Sequence, residues 1–423
     1  MPRIPVDLII HNAKQLVTAS GFTQRPATGR EMGQLSILED GAVAISNGQI
    51  LAVSKSHDIL DSYDASEKID ASGKIATPGL IDAHTHFVFA GSRETELELK
   101  IQGMKYLEIL EKGGGILRTV RDTRTASKGE LLDGCRKRVS SLLKHGTTTI
   151  EAKSGYGLEL AAEIKSLEVI NSLNEEGPLS LVSTFLGAHA IPQEFEGKVE
   201  EYVELICEDW IPRIQQLHLA SFCDVFCEKG VFEIEESKRI LLAGKRHGLV
   251  PRIHADELYP LGGAELAAEI GAASADHLLY ASGAGMEKMK QAGVVATLLP
   301  AAPLTLMLDR YADARSFMST GVPIALGSDL SPSCLLENYQ LVMALACYMM
   351  KMTPAEALIA ATINAAHSIR RANQIGSIET GKQADITIFR VPDYRFLGYQ
   401  LGSNMADTVV KNGKVVVYDG RLK

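Results

Sequence analysis

Two histidines, His84 and His86, stand one residue apart in the stretch "TPGLIDAHTHFVFAGSRE", residues 77–94, directly behind a short apolar run. In a β-strand, side chains at positions i and i+2 point to the same face, so both imidazoles can reach one metal ion. The alternative is a pair of ordinary polar residues at a strand–loop junction. The pair alone does not decide between the two interpretations, and the elements around it must be considered.

Eight short, β-rich apolar runs alternate with helical stretches through the middle of the chain. They are residues 80–86, 147–153, 179–188, 222–228, 250–255, 273–279, 294–300 and 322–329. Apolar runs without polar alternation are typical of strands that are buried on both faces. The pattern predicts an α/β fold with a (β/α)8 TIM-like barrel over residues 79–375, with a doubly wound open sheet as the alternative.

The two ends of the chain have a different pattern. Short β-type runs with Asn-Gly turns occur in "GAVAISNGQILAVS" near the amino end and in "DTVVKNGKVVVYDG" near the carboxyl end. Neither end has enough strands to bury a sheet face by itself. The sequence therefore predicts one small β-sandwich-like domain that combines residues 1–78 with residues 376–423.

A parallel barrel carries its active site at the carboxyl ends of its strands. The polar residues at the predicted strand ends are His84, His86, Glu151, Lys153, His189, Glu228, His254, His277 and Asp329. Three imidazoles (His84, His86 and His254) with the Asp329 carboxylate suit Zn²⁺ or iron. Because a bound dication can lower the pKa of water from near 16 to about 7, the set predicts a metal-dependent hydrolase.

Two further residues are candidates for acid–base chemistry. Glu257 follows His254 by three residues in "HADE", where its carboxylate can move a proton between water and a leaving nitrogen. An acidic residue at a helix amino end is the alternative role. His277, in "SADHLL", can polarise a carbonyl or orient the water, and a core histidine bonded to the backbone is the alternative.

Several stretches together carry a family resemblance. "PGLIDAHTHFVFAG" resembles the opening metal motif of the amidohydrolase superfamily, and "KSGYGL", "GAHAIP" and "HADE", in that order, resemble the imidazolonepropionase family. The resemblance runs over essentially the whole chain. It implies hydrolysis of a cyclic amide, 4-imidazolone-5-propanoate, to N-formimino-L-glutamate, with one Zn²⁺ or Fe²⁺/Fe³⁺ per chain. His277 is then expected to stabilise the developing negative charge, while Glu257 and Asp329 move the proton.

The resemblance also implies the substrate contacts. Arg93 is expected to bind the propionate of the substrate through a bidentate contact, and Tyr156 and His189 resemble further contacts of the family. After the metal aspartate the family continues Asn-Pro-Gly-Ser, whereas this chain has "SPSC". Ser331 and Ser333 therefore replace an asparagine and a glycine, and we expect them to be binding positions with altered hydrogen bonding.

Composition limits the partners. The 423 residues carry a net charge of −9, so no basic surface is expected for nucleic acid or anionic membranes. Six scattered cysteines favour a reducing compartment, and the amino end lacks the long apolar stretch of a signal peptide. We expect a cytoplasmic enzyme with a small anionic substrate. A homodimer is one option for its assembly, and zinc or iron stays open.

Two other functions fit parts of the pattern. An aminohydrolase that deaminates a cyclic amidine, such as a nucleobase, would use the same metal ligands, although a cation at Arg93 favours a substrate with an anionic group. A non-catalytic protein stabilised by a metal would have a closed ligand set. Acid–base residues such as Glu257 and His277 beside the ligands argue against it.

Overall fold

The structure is a computed structural model and describes residues 2–104, 108–109 and 113–423. Strands are numbered in chain order. The first five are β1 (Ile4–Val17), β2 (Ile37–Ser46), β3 (Gln49–Lys55), β4 (Tyr63–Asp70) and β5 (Ile75–Pro78). β2 and β3 form an antiparallel hairpin. Asn47 and Gly48 both have positive φ in its turn, as the Asn-Gly pair predicts.

The central part of the chain forms a parallel barrel. Its strands are β6 (Leu80–Asp82), β7 (Thr147–Lys153), β8 (Ser180–Ala188), β9 (Phe222–Cys227), β10 (Val250–Ala255), β11 (Ser274–His277), β12 (Val295–Leu298) and β13 (Ile324–Leu326). Each strand pairs in parallel with the next along the chain. Nearly every residue in them is buried, as the unbroken apolar runs predict. The barrel is confirmed over the doubly wound alternative.

The first and last barrel strands meet along a seam, which we define as the junction between β6 and β13. Both strands are only three residues long, shorter than the runs 80–86 and 322–329 predict. Beyond their ends the backbones still touch, because Asp329 N donates to His84 O at 3.1 Å and His86 N donates to Leu330 O at 2.9 Å. Loop segments therefore complete the barrel where the strands stop.

A second sheet combines both ends of the chain. Its later strands are β14 (Ile386–Phe389), β15 (Ala406–Lys411), β16 (Lys414–Tyr418) and β17 (Arg421–Leu422). β14 pairs antiparallel with β5, and the mixed sheet has nine strands. Apolar side chains of β1 and β2 pack with those of β14 and β15 in one buried cluster. The domain boundaries at residues 78/79 and 375/376 stay predictions.

Most helices cover the barrel and link its strands, whereas Ser56–Ser62 packs against β1 to β4 of the second sheet. The α-helices are Ser56–Ser62, Glu94–Ile101, Gly115–Thr125, Lys128–Lys144, Leu160–Glu176, Val199–Leu205, Ile211–Gln216, Ile234–Arg246, Gly263–Ile270, Gly283–Ala292, Ala301–Thr305, Ala314–Thr320, Tyr339–Met350, Pro354–Ala360, Ile363–Ser368 and Phe396–Tyr399. Short 3-10 helices (Gly29–Gly33, Gln193–Phe195) and a π-helical turn (Ile206–Trp210) accompany them. None of the helices in the described residues has both the length and the hydropathy needed to cross a bilayer.

Candidate active site

Four predicted metal ligands meet at the carboxyl end of the barrel. His84 and His86 follow β6, His254 lies in β10, and Asp329 follows β13. The His86 and His254 Nε2 atoms are 3.2 Å apart, and Asp329 Oδ1 lies 3.7 Å from His84 Nε2 and 3.5 Å from His86 Nε2. Residues far apart in the sequence thus direct nitrogen and oxygen atoms toward one point.

The chemistry of this set fits a divalent metal ion. The Nε2 atom of His84 is buried and has no hydrogen-bond partner among the described residues. Burial holds the pKa of His84 and of His86 well below the usual range for histidine, so both rings are neutral, as metal ligands must be. Ligand atoms of His84, His86 and Asp329 all lie within 4.8 Å of one another. Three nitrogens with one carboxylate oxygen suit zinc or iron.

Two more histidines extend the cluster. A ring nitrogen of His277 lies within 4.8 Å of ring nitrogens of His84 and His254, and a ring nitrogen of His189 lies within 4.8 Å of those of His86 and His254. The rings of His86 and His189 are stacked with centroids 4.5 Å apart. Five imidazoles therefore share one buried region, and the assignment of His84, His86, His254 and Asp329 as the ligands stays a prediction.

Carboxylates beneath the cluster orient two of the imidazoles. Asp276 Oδ2 lies 2.7 Å from His84 Nδ1, and Asp224 Oδ1 lies 3.2 Å from His254 Nδ1. A carboxylate at Nδ1 fixes the tautomer in which Nε2 is free to bind a metal. These two aspartates are not among the residues predicted for the site. Both lie within barrel strands, and Asp276 precedes His277 by one residue, so a search for acids inside the strands would have found them.

A buried lysine connects these carboxylates. Lys153 Nζ lies 2.9 Å from Glu151 Oε1 and 2.8 Å from Asp224 Oδ2, and the side chains of all three residues are fully buried. Burial acts to lower the pKa of Lys153, but the carboxylates of Asp224 and Glu151 outweigh it and raise this pKa. Glu151 and Lys153, predicted at a strand end, thus lie in the layer below the cluster, and Lys153 is positively charged.

Glu257 and His277 lie together beside the cluster. His277 Nδ1 and Glu257 Oε1 are 3.5 Å apart, and both residues are buried. Burial, followed by the charge of Asp329, raises the pKa of Glu257 well above its usual range. Burial also raises the pKa of Asp329 to about 7, a shift that a cation at its side would oppose. A carboxyl that holds a proton near neutral pH is suited to acid–base chemistry.

A small cavity opens above these residues. The predicted substrate-binding positions Arg93, Tyr156, His189, Ser331 and Ser333 all line it, together with Glu257, His277 and Asp329. Glu228 does not line it, because this carboxylate accepts from the backbone N–H groups of Lys229 and Leu258.

Arg93 supplies a positive charge at the cavity. Its side chain is 6% exposed, its Nε donates to Thr119 Oγ1 at 2.8 Å, and its guanidinium carbon lies 5.8 Å from the centroid of the Tyr156 ring. No carboxylate forms an ion pair with Arg93 in the parts of the chain that the structure describes. An anionic group of a ligand can therefore pair with it.

The two serines that depart from the family pattern belong to one turn. Ser331 and Ser333 hydroxyls are 3.1 Å apart, and Ser331 Oγ accepts from Cys334 N at 3.2 Å. Ser331 is buried, whereas Ser333 is half-buried. Part of their hydrogen-bonding capacity is therefore used within the turn, and hydroxyls rather than an amide face the cavity.

Comparisons with known proteins give a family for the chain. Residues 252–416 match the model of the amidohydrolase family. Over 420 residues the chain is 49% identical to imidazolonepropionase of Geobacillus sp. (strain WCH70). The match covers 98% of this chain and 99% of that protein. It is 48% identical over 421 residues to imidazolonepropionase of Alkaliphilus oremlandii (strain OhILAs), with 99% of each chain covered.

Solved structures with low sequence identity share the fold. An adenosine deaminase from Xanthomonas campestris with bound zinc superposes with a TM-score of 0.74 at 19% identity, covering 100% of this chain and 95% of that chain. A triazine hydrolase variant gives a TM-score of 0.74 at 20% identity, covering 98% and 95%. With close relatives matched from end to end, the chain belongs to the imidazolonepropionase family of the amidohydrolases.

Proposed function

We propose that this protein is a metal-dependent hydrolase that opens the ring amide of 4-imidazolone-5-propanoate to give N-formimino-L-glutamate, a step of histidine degradation. The observation that carries the proposal is a sequence identity of 49% and 50% to two imidazolonepropionases over 98% of the chain. The cluster of buried histidines with Asp329, next to a cation at Arg93, supports it.

The metal centre is proposed to be a single divalent ion, zinc or iron, held by His84, His86, His254 and Asp329. When bound there, such an ion lowers the pKa of a coordinated water and polarises a carbonyl oxygen. The carboxylates of Asp276 and Asp224 support this role, since each contacts the Nδ1 atom of a ligand histidine.

The substrate is proposed to bind by its propionate. Arg93 pairs with that carboxylate, while Tyr156 and His189 line the same side of the cavity and contact the ring. The Nδ1 of His189 lies 2.9 Å from Gly155 O, so Nδ1 carries the proton and Nε2 is left as an acceptor. Ser331 and Ser333 are proposed to bind the substrate through their hydroxyls.

Ring opening then requires water to add to the ring carbonyl carbon and the ring C–N bond to break. His277 is the candidate for stabilising the oxygen that becomes negative. Glu257 and Asp329 are the candidates for taking the proton from water and delivering it to the departing nitrogen. The raised pKa of Glu257 suits it to hold that proton between the two transfers.

A turnover assay on metal-analysed protein tests the function. We expect the conjugated imidazolone ring to disappear, which ultraviolet absorbance measures. Formiminoglutamate should appear at the same time. Glu257→Gln should lower kcat by about 100-fold or more, because positioned acid–base groups contribute about 10²- to 10⁴-fold. Metal content should stay unchanged. Glu265→Gln, in the following helix Gly263–Ile270, is the matched control. Full activity of Glu257→Gln would remove Glu257 from the mechanism.

An aminohydrolase is the second candidate, because an adenosine deaminase shares this fold. The pairing of Arg93 with an anionic substrate group argues against most free bases. A panel of cyclic amides and amidines separates the two: release of ammonia without ring opening would establish deamination. Substrate binding without any turnover in metal-loaded protein would instead indicate a binding protein. Location in the cytoplasm and pairing as a homodimer stay predictions.

A further inference from the structure

One segment of the cavity wall is held by charged side chains on both of its sides. This segment, residues 154–158, follows β7 and is called here the Tyr156 loop. It carries Tyr156 into the cavity, where the ring lies 5.2 Å from His189 and 5.7 Å from His86 between centroids. A loop that places a binding side chain needs its backbone fixed, because short connections have few contacts of their own.

The buried carboxylate of Glu163 binds the N–H groups of this loop. Glu163 Oε2 accepts from Gly155 N at 3.0 Å, and Glu163 Oε1 accepts from Gly157 N at 2.8 Å and from Leu158 N at 2.9 Å. The side chain is 0% exposed. Glu163 lies in the first turn of helix Leu160–Glu176, so the helix that follows the loop also holds it.

The guanidinium of Arg124 binds the carbonyls of the same loop from the other side. Its Nε donates to Gly157 O at 2.6 Å and its Nη2 donates to Leu158 O at 2.9 Å. Arg124 lies in the last turn of helix Gly115–Thr125, whose Ile116 lines the cavity. Backbone N–H groups of the loop thus donate to the Glu163 carboxylate, and its backbone carbonyls accept from the Arg124 guanidinium.

Two glycines allow this close approach. Gly155 has φ of +107°, and a Cβ there would lie 3.0 Å from His189 Nδ1. A Cβ on Gly157 would lie 2.6 Å from Glu163 N and 2.7 Å from Ala162 C, closer than atoms can pack. Glycine at 157 therefore lets the loop lie against the helix, and glycine at 155 permits the positive φ beside His189.

The loop in turn orients a second binding residue. Gly155 O accepts from His189 Nδ1 at 2.9 Å, and His189 stacks on His86. A displacement of Gly155 would change both the position of Tyr156 and the orientation of the His189 ring. Glu163 is connected to both side chains through the backbone of one residue.

We propose that Glu163, with Arg124, is a positioning residue for substrate binding: it holds the Tyr156 loop so that Tyr156 and His189 face the substrate. The expected effect on substrate binding rests on the proposed function, because it is measured with the proposed substrate. Glu163 itself does not line the cavity. Its effect should therefore fall on substrate affinity and leave the acid–base chemistry and the metal centre intact.

Glu163→Gln tests the proposal. An amide has one acceptor oxygen, and its NH2 would face an N–H of Gly155 or of Gly157 and Leu158, so at least one of these bonds is lost. We expect KM to rise about tenfold or more, because a misplaced binding group loses affinity, whereas kcat changes less than threefold. Metal content should be unchanged. Glu168→Gln, exposed on the same helix and paired with Lys128, is the matched control and should behave as wild type.

Two further measurements separate positioning from a general loss of structure. Hydrogen–deuterium exchange of the amides at 155, 157 and 158 should speed up in Glu163→Gln, and this readout needs no substrate. In a Tyr156→Ala background, the effect of Glu163→Gln on KM should be smaller than in the wild type, because only His189 is then left for Glu163 to position.

Unchanged KM together with unchanged exchange would overturn the proposal, as would an undiminished KM effect in the Tyr156→Ala background. If Glu163→Gln does not fold, Arg124→Gln replaces it, since Arg124 is partly exposed and contacts the same loop; the same split between KM and kcat is expected. If the wild type has no activity on the imidazolone, the proposed function fails, and the exchange measurement alone decides whether Glu163 holds the loop.

Discussion

The carboxylate of Asp276 offers the sharpest test of how the barrel holds the imidazole of His84, a proposed metal ligand. Its Oδ2 lies 2.7 Å from His84 Nδ1 and accepts from Arg252 Nη2 at 2.9 Å, and all three side chains are fully buried. Asp276→Asn keeps the shape and removes the charge. Hydrogen bonds to charged groups contribute about 1.5 to 3 kcal/mol and neutral ones about 0.5 to 1.5 kcal/mol, so the substitution costs about 1 to 2 kcal/mol. Zinc should therefore bind about 5- to 30-fold more weakly.

Competition against a chromophoric zinc chelator measures this affinity on metal-free protein. Asp385→Asn is the matched control, because Asp385 is also a buried carboxylate and accepts from Lys411 Nζ at 2.6 Å, but it directly precedes β14 of the sheet formed by the chain ends. Both variants should lose some resistance to urea. Only Asp276→Asn should lose zinc affinity. A folded Asp276→Asn protein that binds zinc as tightly as the wild type would refute the orienting role of this carboxylate.

Three other outcomes are expected. Arg93→Met should raise KM about 10- to 150-fold, since a charge-assisted bond of about 1.5 to 3 kcal/mol is lost, and unchanged KM would exclude Arg93 from substrate binding. Removal of the metal by a chelator should abolish turnover and lower the calorimetric unfolding temperature. An ion at 100 times its Kd stabilises the folded state by about 2.7 kcal/mol. Equal unfolding temperatures with and without the chelator would contradict a resident ion. Burial lowers the pKa of His367, whose Nε2 lies 2.7 Å from Phe22 O. The stability that neutral His367 contributes is thus complete above the unfolded pKa near 6.5 and is lost as the pH falls below that value. The urea midpoint should therefore drop less between pH 8 and 5.5 in His367→Gln than in the wild type.

The barrel could be predicted from sequence because its strands are apolar throughout. Runs such as residues 147–153 and 250–255 match β7 and β10 in their bounds. The runs 80–86 and 322–329 were predicted too long, since the backbone leaves the strand conformation where His84, His86 and Asp329 turn toward the cluster. Asp329 has φ of +58°, which no hydrophobic pattern reveals.

The cluster of histidines could be predicted because each lies at a strand end. The contacts in the layer beneath it could not be predicted. Asp224 and Asp276 are recognisable as acids inside apolar strands, but the residues that they contact are remote in the sequence. Lys153 was placed at a strand end, but its contact with Asp224 across two strands depends on the register of the barrel. Glu163 gives no signal either, since an acid in the first turn of a helix is common.

The seam between β6 and β13 would give a bound ion a second role. His84 and His86 belong to one side of this junction and Asp329 to the other, and the strands themselves are too short to join along their length. Coordination by both sides would tie the first strand of the barrel to the last through a link independent of backbone pairing. Loss of the ion should accordingly loosen this junction before the rest of the barrel, so the same atoms that prepare the reaction would also complete the ring of strands.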